Sequence, residues 1–226
     1  MIEEILPPRV VAVDTRGERL DIELFPEERA ALGQAVEKRR REFVTARACA
    51  REALARLGLP ASPIATGERG EPRWPAGVVG SITHCAGYRG CALARSEELL
   101  GVGIDAEPNG PLPAGLLNDV ARERERALLA RLALVEPSIH WDRLLFCAKE
   151  AVYKVWFPLA RRWLGFEDAL LELDPPAPGT RSGSLRARLL VPGPVVEEKP
   201  LTALSGRWLA RDGLLFAAIA LTRVPR

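Results

Sequence analysis

The sequence predicts an α+β protein of two pseudo-symmetric halves, each a long helix packed on a small antiparallel sheet, with the active site in the cleft between them. Three observations predict it. Helical periodicity is concentrated in two long stretches, residues 34–57 and 138–157. Each is followed by an antiparallel hairpin pattern, first over 79–95 and again over 204–222. Between them the Pro/Gly-rich run 108–115 is the best internal boundary, so the halves are drawn as 1–107 and 108–226.

Taken in order, the chain begins with a strand and a turn, and a helical stretch opens at Pro26, a favoured first helical position. The first long helix places Val36, Phe43, Val44, Ala48, Leu54 and Leu57 on related faces and ends at Gly58 and Pro60. Residues 60–77 form a loop. Strands are predicted over 78–84 and 90–95, joined by the Ala86-Gly87 turn, and over 101–107, stopped by Pro108. Residues 122–134 read as a solvent-facing helix, followed by the second long helix from a Ser138 cap to Phe157, stopped by Pro158. A loop over 174–184 precedes strands over 185–191, 204–209 and 214–221, the last two turning at Arg211-Asp212-Gly213.

Composition excludes several classes. Of 226 residues 47% are hydrophobic and 27% charged, which is too apolar for a disordered chain. The longest apolar run, near 214–221, is far too short to span a bilayer, and the acidic N-terminus has no signal-peptide core. We therefore expect a cytoplasmic protein with no membrane partner. A net charge of +2 and the lack of helix-turn-helix spacing argue against nucleic acid as a partner. Cys49, Cys85, Cys91 and Cys147 form no CxxC pair and read as reduced structural thiols. Only Lys38, Lys149, Lys154 and Lys199 are lysines among 32 basic residues, so each lysine is singled out where arginine is the default.

Four groups of residues have chemistry to offer. Asp105 and Glu107 stand two apart on an apolar strand, so both carboxylates project from one face. That arrangement suits Mg²⁺; the alternative is a strand end meeting solvent. Glu150 and Lys154 share a helix face and form either a surface ion pair or, because the helix is apolar around most of its circumference, part of a buried site with Lys149. On the first long helix Arg40, Arg47 and Arg51 fall nearly on one face with Arg39 beside it, a solvated stripe or an anion grip. His84, after Thr83 at a strand end, is a structural histidine or a phosphate donor helped by the Thr83 hydroxyl.

Together, Gly80-Ser81-Ile82-Thr83-His84-Cys85, the run Gly101-Val102-Gly103-Ile104-Asp105-Ala106-Glu107-Pro108 and the run Phe146-Cys147-Ala148-Lys149-Glu150-Ala151-Val152-Tyr153-Lys154 resemble one family. The chain is similar to 4′-phosphopantetheinyl transferases of the longer Sfp type, in an actinobacterial, enterobactin-synthetase-activating-like branch. Residues 70–75 and 162–168 also match that branch, and the resemblance covers roughly residues 36–170. It implies a monomer that transfers the phosphopantetheine arm of coenzyme A to a serine of an apo acyl or peptidyl carrier protein, releasing adenosine 3′,5′-bisphosphate.

Carried onto this chain, the resemblance implies that Asp105, Glu107 and Glu150 hold Mg²⁺, or Mn²⁺, against the pyrophosphate of the co-substrate. Glu150 is implied as general base, and Lys154 with Lys149 as stabilisers of developing charge. Thr83, His84, Arg39 and Arg47 match positions that grip the phosphates. The resemblance thus picks Arg39 where periodicity favours Arg40. Relatives often carry a basic residue at the position of Thr66, and here Arg69 is the nearest cation and the expected replacement. Trp163 and Leu164 line the pantetheine arm or are ordinary core. Two other classes fit the same residues: a metal-dependent phosphohydrolase and a non-catalytic coenzyme A-binding module.

Overall fold

The computed structural model describes residues 1–223. A short 3₁₀ turn leads into β1 (Val11–Thr15), then α1 (Pro26–Leu32) and the long α2 (Glu37–Arg56). The minimal hairpin of β2 (Ala65–Thr66) and β3 (Pro72–Arg73) precedes β4 (Val78–Cys85), β5 (Tyr88–Arg95) and β6 (Leu99–Pro108). The second part holds α3 (Leu116–Val120), α4 (Glu123–Val135), α5 (Trp141–Ala160), β7 (Ala169–Leu173) and β8 (Ser182–Leu189). It ends with β9 (Val195–Val196), β10 (Lys199–Pro200), β11 (Ala203–Arg211) and β12 (Leu214–Thr222).

Two antiparallel sheets organise these elements, one in the order β1-β5-β4 and one in the order β6-β12-β11-β8-β7. Helix α2 covers the first, burying Cys49, Ala50, Ala53 and Leu54 against Val13, Cys91 and Leu93. Helix α5 covers the second, with Leu144, Ala148, Ala151 and Val155 against Leu215, Ala217 and Ile219. No helix among the described residues is long and apolar enough to cross a membrane.

β6 joins the two layers. Its backbone pairs with β12, in the register Asp105↔Ala217 and Glu107↔Leu215, so it belongs to the five-stranded sheet although it precedes the 108–115 loop. Toward β4 the join is made by side chains. Ser81 Oγ accepts from the Ile104 N–H at 3.2 Å, and Thr83 Oγ1 accepts from the Ala106 N–H at 3.1 Å. Two hydroxyls spaced by two residues thus meet two N–H groups spaced by two residues where β6 passes β4. β6 is buried on both faces: Val102, Ile104 and Ala106 enter the core beneath the first sheet. By alternation Gly101, Gly103, Asp105 and Glu107 turn toward α5.

Gly103 is required for that approach. A Cβ there would lie 2.1 Å from the Ala151 carbonyl oxygen, so only glycine lets α5 descend onto the strand that carries Asp105. The β11–β12 hairpin turns at Asp212 (φ 51°) and Gly213 (φ 76°), the left-handed pair that a two-residue hairpin demands.

Both predicted boundaries of the second long helix move. α5 starts at Trp141 rather than from a Ser138 cap: its cap residue His140 is held from the 108–115 loop, the His140 N–H donating to Asn109 Oδ1 at 2.9 Å. Pro158 does not stop α5, which runs to Ala160 and ends on Arg161 in the left-handed region. A proline in the last turn costs one hydrogen bond, and the Arg161 N–H still reaches the Phe157 carbonyl at 2.9 Å. Strand β7 was not expected between the 162–168 motif and the 174–184 loop; a five-residue element with a single outward Glu172 shows little periodicity.

Candidate active site

A cleft of about 360 Å³ opens between α2, the β2–β3 hairpin and β4 on one side and α5 on the other. α2 supplies Arg39, Glu42 and Arg47, β4 supplies Thr83 and His84, and α5 supplies Glu150, Tyr153 and Lys154. The hairpin adds Thr66, Arg69 and Glu71. The structure thus gathers most of the predicted site residues from separated parts of the chain. Of the two arginines that periodicity and resemblance disagreed over, Arg39 lines the cleft, whereas Arg40 lies on the other side of α2 against residues 20–24.

Asp105 sits just beneath the cleft and is 6% exposed. Its Oδ1 accepts from Thr83 Oγ1 at 3.0 Å and from Lys154 Nζ at 2.7 Å, while its buried Oδ2 has no hydrogen-bond partner among the described residues. Lys154 also donates to the Ile104 carbonyl at 3.0 Å, which leaves one of its three protons for the cleft. Burial raises the Glu150 carboxyl above its ordinary 4.5, and the nearby Asp105 charge raises it further against the pull of Lys154. Burial and Asp105 raise Glu107 as well, against Arg143, whose guanidinium holds Glu107 at 3.1 Å. Asp105 and Glu107 share a strand face and crowd each other electrostatically, as their spacing predicts.

The basic wall has its own logic. His84 Nε2 lies 2.9 Å from Arg39 Nη1, and a guanidinium can only donate, so His84 is a neutral acceptor there. The ring proton then sits on Nδ1, facing Glu42 at 3.9 Å. Burial, with the Arg39 charge behind it, lowers His84 below its ordinary 6.5. Arg47 is 5% exposed, stacks 4.2 Å over the Phe43 ring, and is lowered to about 10 by burial. Its Nε is buried without a hydrogen bond among the described residues and faces Glu28 Oε1 at 3.6 Å. Arg51, the third member of the predicted stripe, does not line the cleft; its two terminal nitrogens donate to Glu28 and the Glu23 carbonyl.

Two predicted ligands do other work. Lys149 points away from the cleft into the protein, where it donates to Glu125 Oε2 at 2.9 Å, the Phe166 carbonyl at 2.6 Å and the Ala169 carbonyl at 3.2 Å. All three protons are used, so it has none for a phosphate. The Thr83 hydroxyl donates its one proton to Asp105, so it positions a carboxylate and stitches two strands rather than donating to an anion. Trp163 is 66% exposed and tilts against Tyr153, and Leu164 is buried; both border a small apolar hollow of about 110 Å³ that meets the cleft at Glu150 and Tyr153.

Two family models divide the chain between them. The model for the 4′-phosphopantetheinyl transferase N-terminal domain matches residues 27–94, and that for the 4′-phosphopantetheinyl transferase superfamily matches residues 101–190. The chain belongs to the 4′-phosphopantetheinyl transferase superfamily. It is 55% identical over 197 residues to the 4′-phosphopantetheinyl transferase Svp of Streptomyces mobaraensis, covering 87% of this chain and 78% of Svp. It is 50% identical to PptT of Mycobacterium tuberculosis, over 87% of this chain and 86% of PptT. To Npt of Nocardia iowensis it is 47% identical over 223 residues, 97% of this chain and 99% of Npt. These matches make this superfamily member a transferase of the Sfp-type actinobacterial branch.

The donor set suits a divalent cation by its chemistry. An Asp105 oxygen buried without a hydrogen bond among the described residues, and two carboxyls that burial and the Asp105 charge push toward protonation, are what such an ion relieves. Among the described residues no three His, Cys, Asp or Glu side chains are already gathered around a common point. Lys154 and Arg143 supply positive charge to Asp105 and Glu107.

Sequence reasoning missed Glu28, Glu42, Glu71, Glu125 and Arg143. Glu28 carries a local signal, a carboxylate at the third position of a helix that opens with proline. Glu125 carries the same third-position signal, and Glu71 accepts the nearby Arg69 N–H at 3.0 Å; the partners of Glu42 and Arg143 are brought near only by the fold.

Proposed function

We propose that this chain transfers the 4′-phosphopantetheine group of coenzyme A to a serine of an apo acyl or peptidyl carrier protein, with the α2–α5 cleft as the site. The observation that carries the reading is a basic wall of Arg39, Arg47, Arg69 and His84 facing Glu150 and Lys154 across one cleft, with Asp105 buried beneath and bonded to Lys154. Arg39, Arg47, Arg69 and His84 bind and orient the nucleotide phosphates. Asp105, Glu107 and Glu150 would hold Mg²⁺, with Mn²⁺ as the alternative. When bound, the ion supplies Lewis-acid neutralisation of pyrophosphate charge.

Glu150 acts as the base. From the α5 side of the cleft it takes the proton of the carrier serine hydroxyl as that oxygen bonds to the phosphorus bearing the pantetheine arm. The bond from that phosphorus to the departing adenosine 3′,5′-bisphosphate oxygen breaks in the same displacement. Lys154, fixed by Asp105 and the Ile104 carbonyl, directs its remaining proton toward the charge that develops on the pyrophosphate. The apolar hollow beside Tyr153, Trp163 and Leu164 receives the pantetheine arm. We place the enzyme in the cytoplasm as a monomer, with residues 1–107 supplying the phosphate grip and residues 108–226 the base.

Intact-mass measurement of an apo carrier protein incubated with the chain, coenzyme A and Mg²⁺ tests this reading. One phosphopantetheine adduct is expected. Glu150→Gln is expected to slow labelling by about 10²–10⁴-fold, and EDTA to abolish it. Wild-type protein that binds coenzyme A yet labels none of several apo carriers would overturn it.

A further inference from the structure

Glu28 is fully buried and lies outside the cleft, yet it touches two of the cleft's walls. Its Oε2 accepts from the Phe25 N–H at 3.0 Å and from Arg51 Nη2 at 2.6 Å. Its Oε1 accepts from the Ile64 N–H at 3.1 Å and faces Arg47 Nε at 3.6 Å. Ile64 immediately precedes the β2–β3 hairpin, which carries Thr66, Arg69 and Glu71 along the cleft.

Arg47 is held only loosely. Phe43 lies beneath its guanidinium, Glu28 beside it, and no acceptor among the described residues takes a hydrogen bond from its Nε. A buried guanidinium with unspent donors lining a cleft is a group kept for an anion, and the single carboxylate beside it sets where it sits. The full negative charge of Glu28 is meanwhile shared with Arg51 and two N–H groups, so it anchors Arg47 without consuming it.

We propose that Glu28 is a positioning residue for the phosphate grip, acting through Arg47 and through the Ile64-anchored hairpin on the nucleotide end of coenzyme A. This rests on the reading of the cleft as the coenzyme A site. Asp105, Glu150 and Lys154 stand on β6 and α5 and make no contact with Glu28, so binding and chemistry separate. A role confined to folding would lower the amount of active enzyme without changing how it saturates.

The test is transfer to an apo carrier at varied coenzyme A, per folded molecule, for wild type, Glu28→Gln, Arg47→Lys and the double variant. Glu28→Gln is expected to raise the coenzyme A KM about tenfold, as for a lost contact to a charged group, with kcat little changed. The double variant is expected to rise no further than Arg47→Lys alone, because both changes remove one unit. Glu28→Asp keeps the charge and withdraws it by one methylene, so it guards against misfolding and is expected to fall between wild type and Glu28→Gln. An unchanged KM in both Glu28 variants, or effects that add to Arg47→Lys, would overturn the assignment while leaving the cleft reading intact. If Arg47→Lys itself leaves KM unchanged, the cleft reading fails in this wall and the role of Glu28 with it.

Discussion

Glu28 and Glu125 occupy matching places in the two parts of the molecule and end up with different duties. Each is the third residue of a helix, in α1 and α4, and each is buried almost completely. In both, Oε2 accepts the N–H at the head of its own helix together with a cation from the next long helix. In both, Oε1 accepts a backbone N–H from a distant segment, Ile64 in one and Leu171 in the other. The cations differ. Lys149 spends all its protons on Glu125 and two carbonyls, whereas Glu28 faces two arginines, and Arg47 keeps donors to spare. The same scaffold uses up its cation at Glu125 and, at Glu28, leaves the Arg47 Nε without an acceptor among the described residues.

The comparison breaks most visibly at its closed end. Lys149→Met strands the Glu125 charge in the interior and is expected to cost about 3–5 kcal/mol of stability, read by urea unfolding. The coenzyme A KM of the folded fraction should stay within about twofold, since Lys149 does not reach the cleft; a tenfold rise would return it to the phosphate site.

Gly103→Ala sharpens the contrast from the other side, since α5 carries both the Lys149 node and Glu150. The added methyl meets the Ala151 carbonyl, so a loss of about 1–3 kcal/mol is expected together with slower transfer. Unchanged kcat in that variant would mean that the seating of α5 does not set the base.

Arg47→Met tests the open end, with a coenzyme A KM raised about tenfold and kcat nearly kept. The smallest effect is the pH response of the basic wall. His84 has a folded value below its ordinary 6.5, so between those values the unfolded chain binds more protons and stability falls as pH drops. Thermal melting of ligand-free protein between pH 7 and 5 should lose that slope in His84→Gln; an identical slope would show that His84 is not held neutral by Arg39 and burial.

Much of the architecture is legible along the chain because periodicity is local. Both long helices, the β4–β5 and β11–β12 hairpins and the Asp212-Gly213 turn lie where hydrophobic spacing and turn chemistry put them. The shared face of Asp105 and Glu107 follows from alternation alone. The misses are non-local. Ser138 gives way as a cap because Asn109 arrives from another segment, and Thr83 is diverted to Asp105 because β6 passes beside β4. Lys149 and Lys154 lie five residues apart on one helix, so spacing alone does not tell which turns inward to Glu125 and which meets Asp105.

By itself the sequence determined the helices, the hairpins and the types of side chain offered to an anion and a cation, since each depends on neighbours within a turn or two. Which arginine keeps its donors, which lysine surrenders them and which carboxylate oxygen stays unpartnered were decided only by the tertiary structure. The physical reason is that a buried charge takes its properties from whatever the fold stacks against it, and for Glu28, Arg47, Asp105 and Lys149 those partners come from far along the chain.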